Sequence, residues 1–164
     1  MQTAPTSFKI PRPAADDSLA WDVIEVMSEH GDFYQDEDTY KRSIQSATKG
    51  QLAVYACTWY LSEVNNGGHD QFFSNSTGMV WDDALAGFQL LAATQHRQIL
   101  AKAIAVFPDS KPAMDRQKRS NQMENADSSL FDKLDNRLYD LEEDFDALAT
   151  KYILDHPDEF FVDP

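Results

Sequence analysis

The chain is 164 residues long and carries 28 acidic against 14 basic side chains, a formal charge of −14 at pH 7. That balance excludes direct binding to nucleic acid or to anionic membranes, both of which need cations, while 42% hydrophobic residues, ten of them Phe and three Trp, exclude a disordered acidic tail. Cys57 is the single cysteine, so an internal disulfide and a cysteine-based zinc site are excluded too.

Residues 1–15, with Pro5, Pro11 and Pro13 among Thr3, Thr6 and Ser7, read as an extended N-terminal arm, and residues 16–164 as a single acidic helical domain. Phe8 and Ile10 give the arm two apolar residues that can dock on the body. The chain does not open on a basic segment followed by an apolar block, and no apolar run approaches the roughly 18 residues of a membrane span. A cytoplasmic protein without a secretion signal is the expectation.

Asp16, Asp17 and Ser18 offer helix caps, and Leu19, Val23, Val26 and Met27 follow at helical spacing beside Trp21 and Ile24, with Gly31 as a stop. A second helix is expected from Asp36 or Glu37 to Gln45, burying Tyr40 and Ile44. Leu52, Tyr55, Ala56, Trp59 and Tyr60 then fall at i, i+3, i+4, i+7 and i+8 and predict a third helix with one buried face, on which Cys57 is a small core residue.

That helix runs into the stretch that organises the rest, Glu63-Val64-Asn65-Asn66-Gly67-Gly68-His69-Asp70-Gln71-Phe72-Phe73-Ser74-Asn75. Asn66, Gly67 and Gly68 tolerate left-handed backbone and end the helix. A new helix is expected to restart at His69 and carry Phe72 and Phe73 inward. Glu63, on the core-facing stripe, needs partners, and the free backbone N–H groups of the restarting helix would supply them. Two readings compete here. Glu63, His69 and Asp70 are a possible metal set or acid–base group of a small enzyme. The blander reading is a structural corner, with no metal and no cofactor. It is favoured because His30, His96 and His156 are scattered singly, as surface or capping residues, and complete no ligand set.

Beyond Gly78, Trp81, Leu85, Phe88 and Leu91 predict a further helix with Asp82 and Asp83 in its first turn. Thr94 would cap the next, from Gln95 to Phe107, which Pro108 stops. Residues 109–125 are polar and read as a loop holding a short helix. Phe131, Leu134, Leu138, Leu141, Phe145, Leu148 and Tyr152 form a heptad-like seam and predict one long C-terminal helix. No clean period-2 run or hairpin signal occurs. The expected class is all-α, a compact single-domain bundle of about seven to nine helices.

Charge is unevenly placed. Residues 16–38 hold Asp16, Asp17, Asp22, Glu25, Glu29, Asp32, Asp36, Glu37 and Asp38 with no Lys or Arg. Residues 132–146 hold Asp132, Asp135, Asp140, Glu142, Glu143, Asp144 and Asp146 against Lys133 and Arg137. Asp22, Glu25 and Glu29 share a helix face and repel one another. The acids read either as a solvated surface or as a row of carboxylates imitating phosphates, which a DNA-binding protein would bind through its Lys and Arg. No Asp-rich loop has the spacing of a calcium-binding EF-hand.

The N-N-G-G-x-x-Q-F-F string formed by Asn65, Asn66, Gly67, Gly68, Gln71, Phe72 and Phe73 resembles the signature of a bacterial helical family. That family was first catalogued as a domain of unknown function and is known for an acidic DNA-mimic protein. The resemblance runs loosely from Leu52 to Tyr152. It implies an all-helical homodimer whose acidic surface blocks the DNA-binding face of a helix-turn-helix transcriptional repressor and so relieves repression. The signature itself, with Glu63 and Asn75, is structural in this reading. The sixteen acids named above are the expected partner-binding residues, with no catalytic residue, and an immunity-type interaction module is the remaining alternative.

Overall fold

The computed structural model describes residues 7–15 and 17–164. Within them the helices follow in the order α1 (Leu19–Ser28), α2 (Glu37–Ser43), α3 (Lys49–Ser74), α4 (Trp81–Leu90), α5 (Thr94–Ile104), α6 (Arg116–Glu124), α7 (Leu130–Tyr139), α8 (Phe145–Asp155) and α9 (Pro157–Phe160), with short 3₁₀ turns at Ser76–Val80 and Pro108–Ser110. The described residues contain no β-strand, so the class is all-α. No helix among them is long and apolar enough to cross a membrane.

Helix α3 is the axis of the bundle. Its start is fixed by a capping box in which Thr48 Oγ1 accepts from Gln51 N and the Gln51 side chain accepts from Thr48 N. Val54, Tyr55, Ala56, Cys57, Tyr60 and Val64 are fully buried along it, against α1, α4, α7 and α8. Packing against α4 is close: a Cβ on Gly87 would lie 2.8 Å from Cys57 Sγ and 3.0 Å from the Ala53 backbone. Removing this stripe from water is the main source of helical stability, since few isolated helices of these lengths would persist.

The flanking helices follow local chemistry with some differences from expectation. Asp36 caps α2 by accepting from Thr39 N at 2.7 Å. Ser18 precedes α1 without a side-chain cap bond, so that helix leans on burial of Leu19, Val23, Ile24 and Met27. The described part of the arm does dock: Phe8 is buried, Ile10 N donates to the Phe160 carbonyl, and Val162 N donates to the Ile10 carbonyl, each at 3.0 Å.

The single long C-terminal helix is corrected to two. Helix α7 stops at Tyr139 and α8 begins after Asp144, whose carboxylate accepts from Ala147 N at 3.0 Å. Residues 140–144 contain Asp140, Glu142, Glu143 and Asp144, and a continuous helix would stack these like charges. Asp144 instead caps, and Glu143 leaves for another helix. The seam changes accordingly. Phe131, Leu134 and Leu138 are buried in α7 as expected, but α8 buries Phe145, Ala149 and Ile153, leaving Leu148 and Tyr152 half-buried.

The corner predicted at the two glycines lies inside α3. Gly67 (φ −153°, ψ 20°) and Gly68 (φ 76°, ψ −177°) leave helical geometry, and the helix restarts at His69. A Cβ at Gly68 would lie 2.3 Å from Asp135 Oδ2. Gly68→Ala is therefore expected to destabilise the fold by about 2–4 kcal/mol, from positive-φ strain and loss of the Asp135 contact together. Urea unfolding of the variant measures this; an unchanged midpoint would mean that the left-handed turn is dispensable.

Candidate functional site

The corner is a closed polar network. Glu63 is half-buried, and its carboxylate accepts from Gln71 Nε2 at 2.6 Å, Asn75 Nδ2 at 3.1 Å and Thr77 Oγ1 at 2.6 Å. The expected donors, backbone N–H groups of the restarting helix, are replaced by side chains, because the turn at Gly67 and Gly68 aims that helix start at α7 instead. Asn66 Nδ2 extends the network by donating to Gln71 Oε1 at 3.2 Å. Gly67 leaves room for Gln71, whose Oε1 would lie 2.1 Å from a Cβ there. Phe72 and Phe73 are buried, as their spacing implies, while Asn65 is exposed and lies in a groove beside α8.

The free N–H of the restarting helix goes to Asp135. His69 N donates to Asp135 Oδ1 at 3.0 Å, and the His69 Nδ1–H donates to the same oxygen. Nε2 then accepts from the Tyr60 hydroxyl at 2.7 Å. Burial disfavours the imidazolium more than Asp135 favours it, so the His69 pKa is lowered. The ring is fully buried between Tyr60, Phe73 and Phe131. Asp70 is exposed; partial burial and the nearby Asp135 and Asp132 raise its pKa. Glu63 is held by its own side-chain donors, His69 is buried on Asp135, and Asp70 is exposed, so the three carry different burial and different partners. Among the described residues no group of three or more His, Cys, Asp or Glu is placed to hold a metal ion.

The same device occurs at α5. Glu143 accepts from Gln95 N at 3.1 Å, His96 N at 2.9 Å and His96 Nδ1 at 2.6 Å. His96, expected at the surface, is buried. Burial opposes ionisation of Glu143, but the His96 and Gln95 amides and the ring outweigh it and hold the carboxyl below its ordinary 4.5. Arg119 falls in the polar stretch 109–125, which reads in sequence only as a loop holding a short helix. It is fully buried and donates to the Phe73, Ala113, Met114 and Asn75 carbonyls at 2.6–3.0 Å, closing the C-terminal end of α3 with Arg116, which donates to the Ser74 carbonyl. Burial, and then Arg116, lowers its pKa to about 10, so it stays cationic.

The predicted acids divide by duty. Asp16 lies outside the described residues. Asp135 and Glu143 are half-buried and committed to the two histidines, which corrects their assignment as outward phosphate mimics. Asp32 accepts from Tyr34 N and Gln35 Nε2, Asp36 and Asp144 cap helices, and Glu37 pairs with Lys41. Asp17, Glu25, Glu29, Asp38, Asp132, Asp140, Glu142 and Asp146 are exposed, and Asp22 is half-buried. Among the described residues the ion pairs of Lys or Arg are Lys41–Glu37 and Lys151–Asp155, so none of these nine acids is in an ion pair with Lys or Arg. Asp17 and Asp146 both line a groove between α1 and α8, and Asp144 and Asp146 also line two further grooves. Charge counting found these acids; it could not find that α8 brings them beside α1.

The family model described as DMP19-like protein matches residues 45–156. No curated protein and no solved structure matches the chain. The matched span holds the corner, both histidine clasps and the acids at 132–146, whereas those at 16–38 lie outside it.

The buried clasps make stability depend on pH. As pH falls below His69's ordinary 6.5 the unfolded chain protonates at that residue first, so its contribution is full above that value and is lost below it. Glu143 adds a second loss below its ordinary 4.5. The urea midpoint is expected to fall between about pH 7.5 and about pH 5.5, with the His69 imidazole titrating below 6.5 by NMR. A His69 that titrates at or above that value would contradict the buried, neutral assignment.

Proposed function

The chain belongs to the DMP19-like protein family, and from that premise we propose that it is a DNA mimic, a non-enzymatic protein that occupies the DNA-binding face of a helix-turn-helix repressor. The observation that carries this reading is the acidic face where α1 meets the start of α8, whose exposed carboxylates Asp17, Glu25, Glu29 and Asp146 are in no ion pair with Lys or Arg among the described residues. On α1, Asp22, Glu25 and Glu29 follow one another at i, i+3 and i+7, about 5–6 Å apart at each helical step. Carboxylates fixed on a rigid helix offer a cationic protein what a phosphate strand offers it: regular negative charge that holds its place.

A repressor built to read DNA would meet these acids with the same Lys and Arg residues and lose access to its operator, and repression would be relieved. Such regulators read two half-sites about 34–36 Å apart, so a homodimer of this chain, acting in the cytoplasm, would present two acidic faces to one regulator. Glu63, His69 and Asp70 serve folding in this account. Glu63 is satisfied by three neutral donors, and His69 is sealed between Tyr60 and Asp135.

Reversing Glu25, Glu29, Glu142 and Asp146 to Lys tests the reading, since all four are exposed and make no side-chain hydrogen bond among the described residues. The wild-type chain is expected to capture a DNA-binding protein and to displace it from its operator in a gel-shift assay. If six or more charge contacts form, affinity should drop about 10³-fold between 50 and 200 mM salt. The variant is expected to lose capture with an unchanged melting temperature. Full-strength binding by the variant, or captured partners that do not bind DNA, would reject the proposal.

A further inference from the structure

Trp21 stands apart from the other two tryptophans. It is 57% exposed, whereas Trp59 and Trp81 are half-buried and Trp81 Nε1 donates to the Pro112 carbonyl. Among the described residues its indole makes no hydrogen bond, ring contact or cation–π contact. It forms one wall of the groove between α1 and α8, a cavity of about 300 Å³ lined also by Asp17, Thr58, Asp146 and Thr150. Asp17 stands four residues before it, ahead of the N-terminal flanking residue Ser18, and Glu25 follows it by one turn of α1. No Lys or Arg of the chain lines this groove. Lys151 lines the adjoining one and is paired with Asp155.

We propose that Trp21 is the anchor of this acidic face, and that its occupant is an arginine side chain of the partner protein, stacked on the indole with its N–H groups donated to Asp17 and Asp146. The proposal rests on the acidic-face reading above and adds a specificity element to it. The chemistry selects among occupants. A guanidinium is planar and weakly hydrated, so it can lie on the indole face while its edge reaches carboxylates on both sides. An ammonium is a compact, strongly hydrated point charge that satisfies one contact or the other. A second copy of this chain would bring its own carboxylates against Asp17 and Asp146, and an anionic lipid surface would be repelled for the same reason. An exposed tryptophan ringed by unpaired acids is thus suited to a cationic partner, and Trp and Arg are the residues over-represented where binding energy concentrates.

The test uses fluorescently labelled octa-arginine and octa-lysine peptides titrated by anisotropy, at low and moderate salt, against the intact wild-type chain, Trp21→Ala and Trp21→Phe. Wild type is expected to favour octa-arginine, and Trp21→Ala to reduce the arginine-to-lysine affinity ratio about three-fold, with Trp21→Phe between the two. In the wild-type NMR spectrum the Trp21 indole N–H should shift on adding octa-arginine and much less on adding octa-lysine. That readout also serves if the alanine variant fails to fold. An affinity ratio unaltered in a folded Trp21→Ala variant, or equal weakening toward both peptides, would overturn the anchor while leaving the acidic face intact. If neither peptide binds wild type at low salt, the acidic-face reading fails and the anchor falls with it.

Discussion

Three helix N-termini in this fold are held by carboxylates delivered from the C-terminal third of the chain. Asp135 takes the N–H of His69 where α3 restarts, Glu143 takes those of Gln95 and His96 at the start of α5, and Glu159 takes that of Gly50 at the start of α3, at 2.7 Å. Each pairing satisfies backbone donors that a helix cannot use internally and sets a negative charge against the positive end of the helix dipole. At the far end of α3, Arg116 and Arg119 cover orphan carbonyls by the reverse logic. Two of the three carboxylates tie α7 and α9 to the central axis and the third ties the 140–144 loop to α5.

This arrangement explains how a chain of charge −14 stays folded without matching cations. Part of its negative charge is balanced by peptide dipoles and amide hydrogens rather than by Lys and Arg. Asp36, Asp115 and Asp144 add three more carboxylates used as caps. The acids that remain, those of α1 and the outer edge of α8 foremost, face water, where their repulsion is weakened by the solvent. Inner acids specify the fold and outer acids set the surface field.

The sequence made the division into helices legible because the apolar spacing of Leu19 to Met27, Leu52 to Tyr60 and Trp81 to Leu91 is strongly periodic. The break at Gly67 and Gly68 was equally plain. The split between α7 and α8 was hidden because the apolar seam continues across it in register, while the deciding interaction lies between Glu143 and residues 47 or 48 positions away. Asp135 and Glu143 were counted as surface charge for the same reason: their histidines are remote in sequence, and spacing along one helix carries no information about a partner on another. Arg119 gave no sign of its place, since its acceptors are main-chain carbonyls, which every residue has.

The geometry of the outer acids bears on how much field they produce. Charges on a convex surface are surrounded by water and screened within about 8 Å at physiological ionic strength. Asp17 and Asp146 instead line a groove whose walls include Leu19, Ala20 and Trp21. Apolar walls of low polarisability confine field lines to the opening, so a given number of carboxylates attracts a cation more strongly there than on an open helix face. The groove exists because α8 starts anew after Asp144 and packs beside α1, which in turn follows from Glu143 being withdrawn to cap α5. An inward-facing carboxylate thus shapes the place where its outward-facing neighbours act, and the corner, the clasps and the acidic face form one electrostatic design.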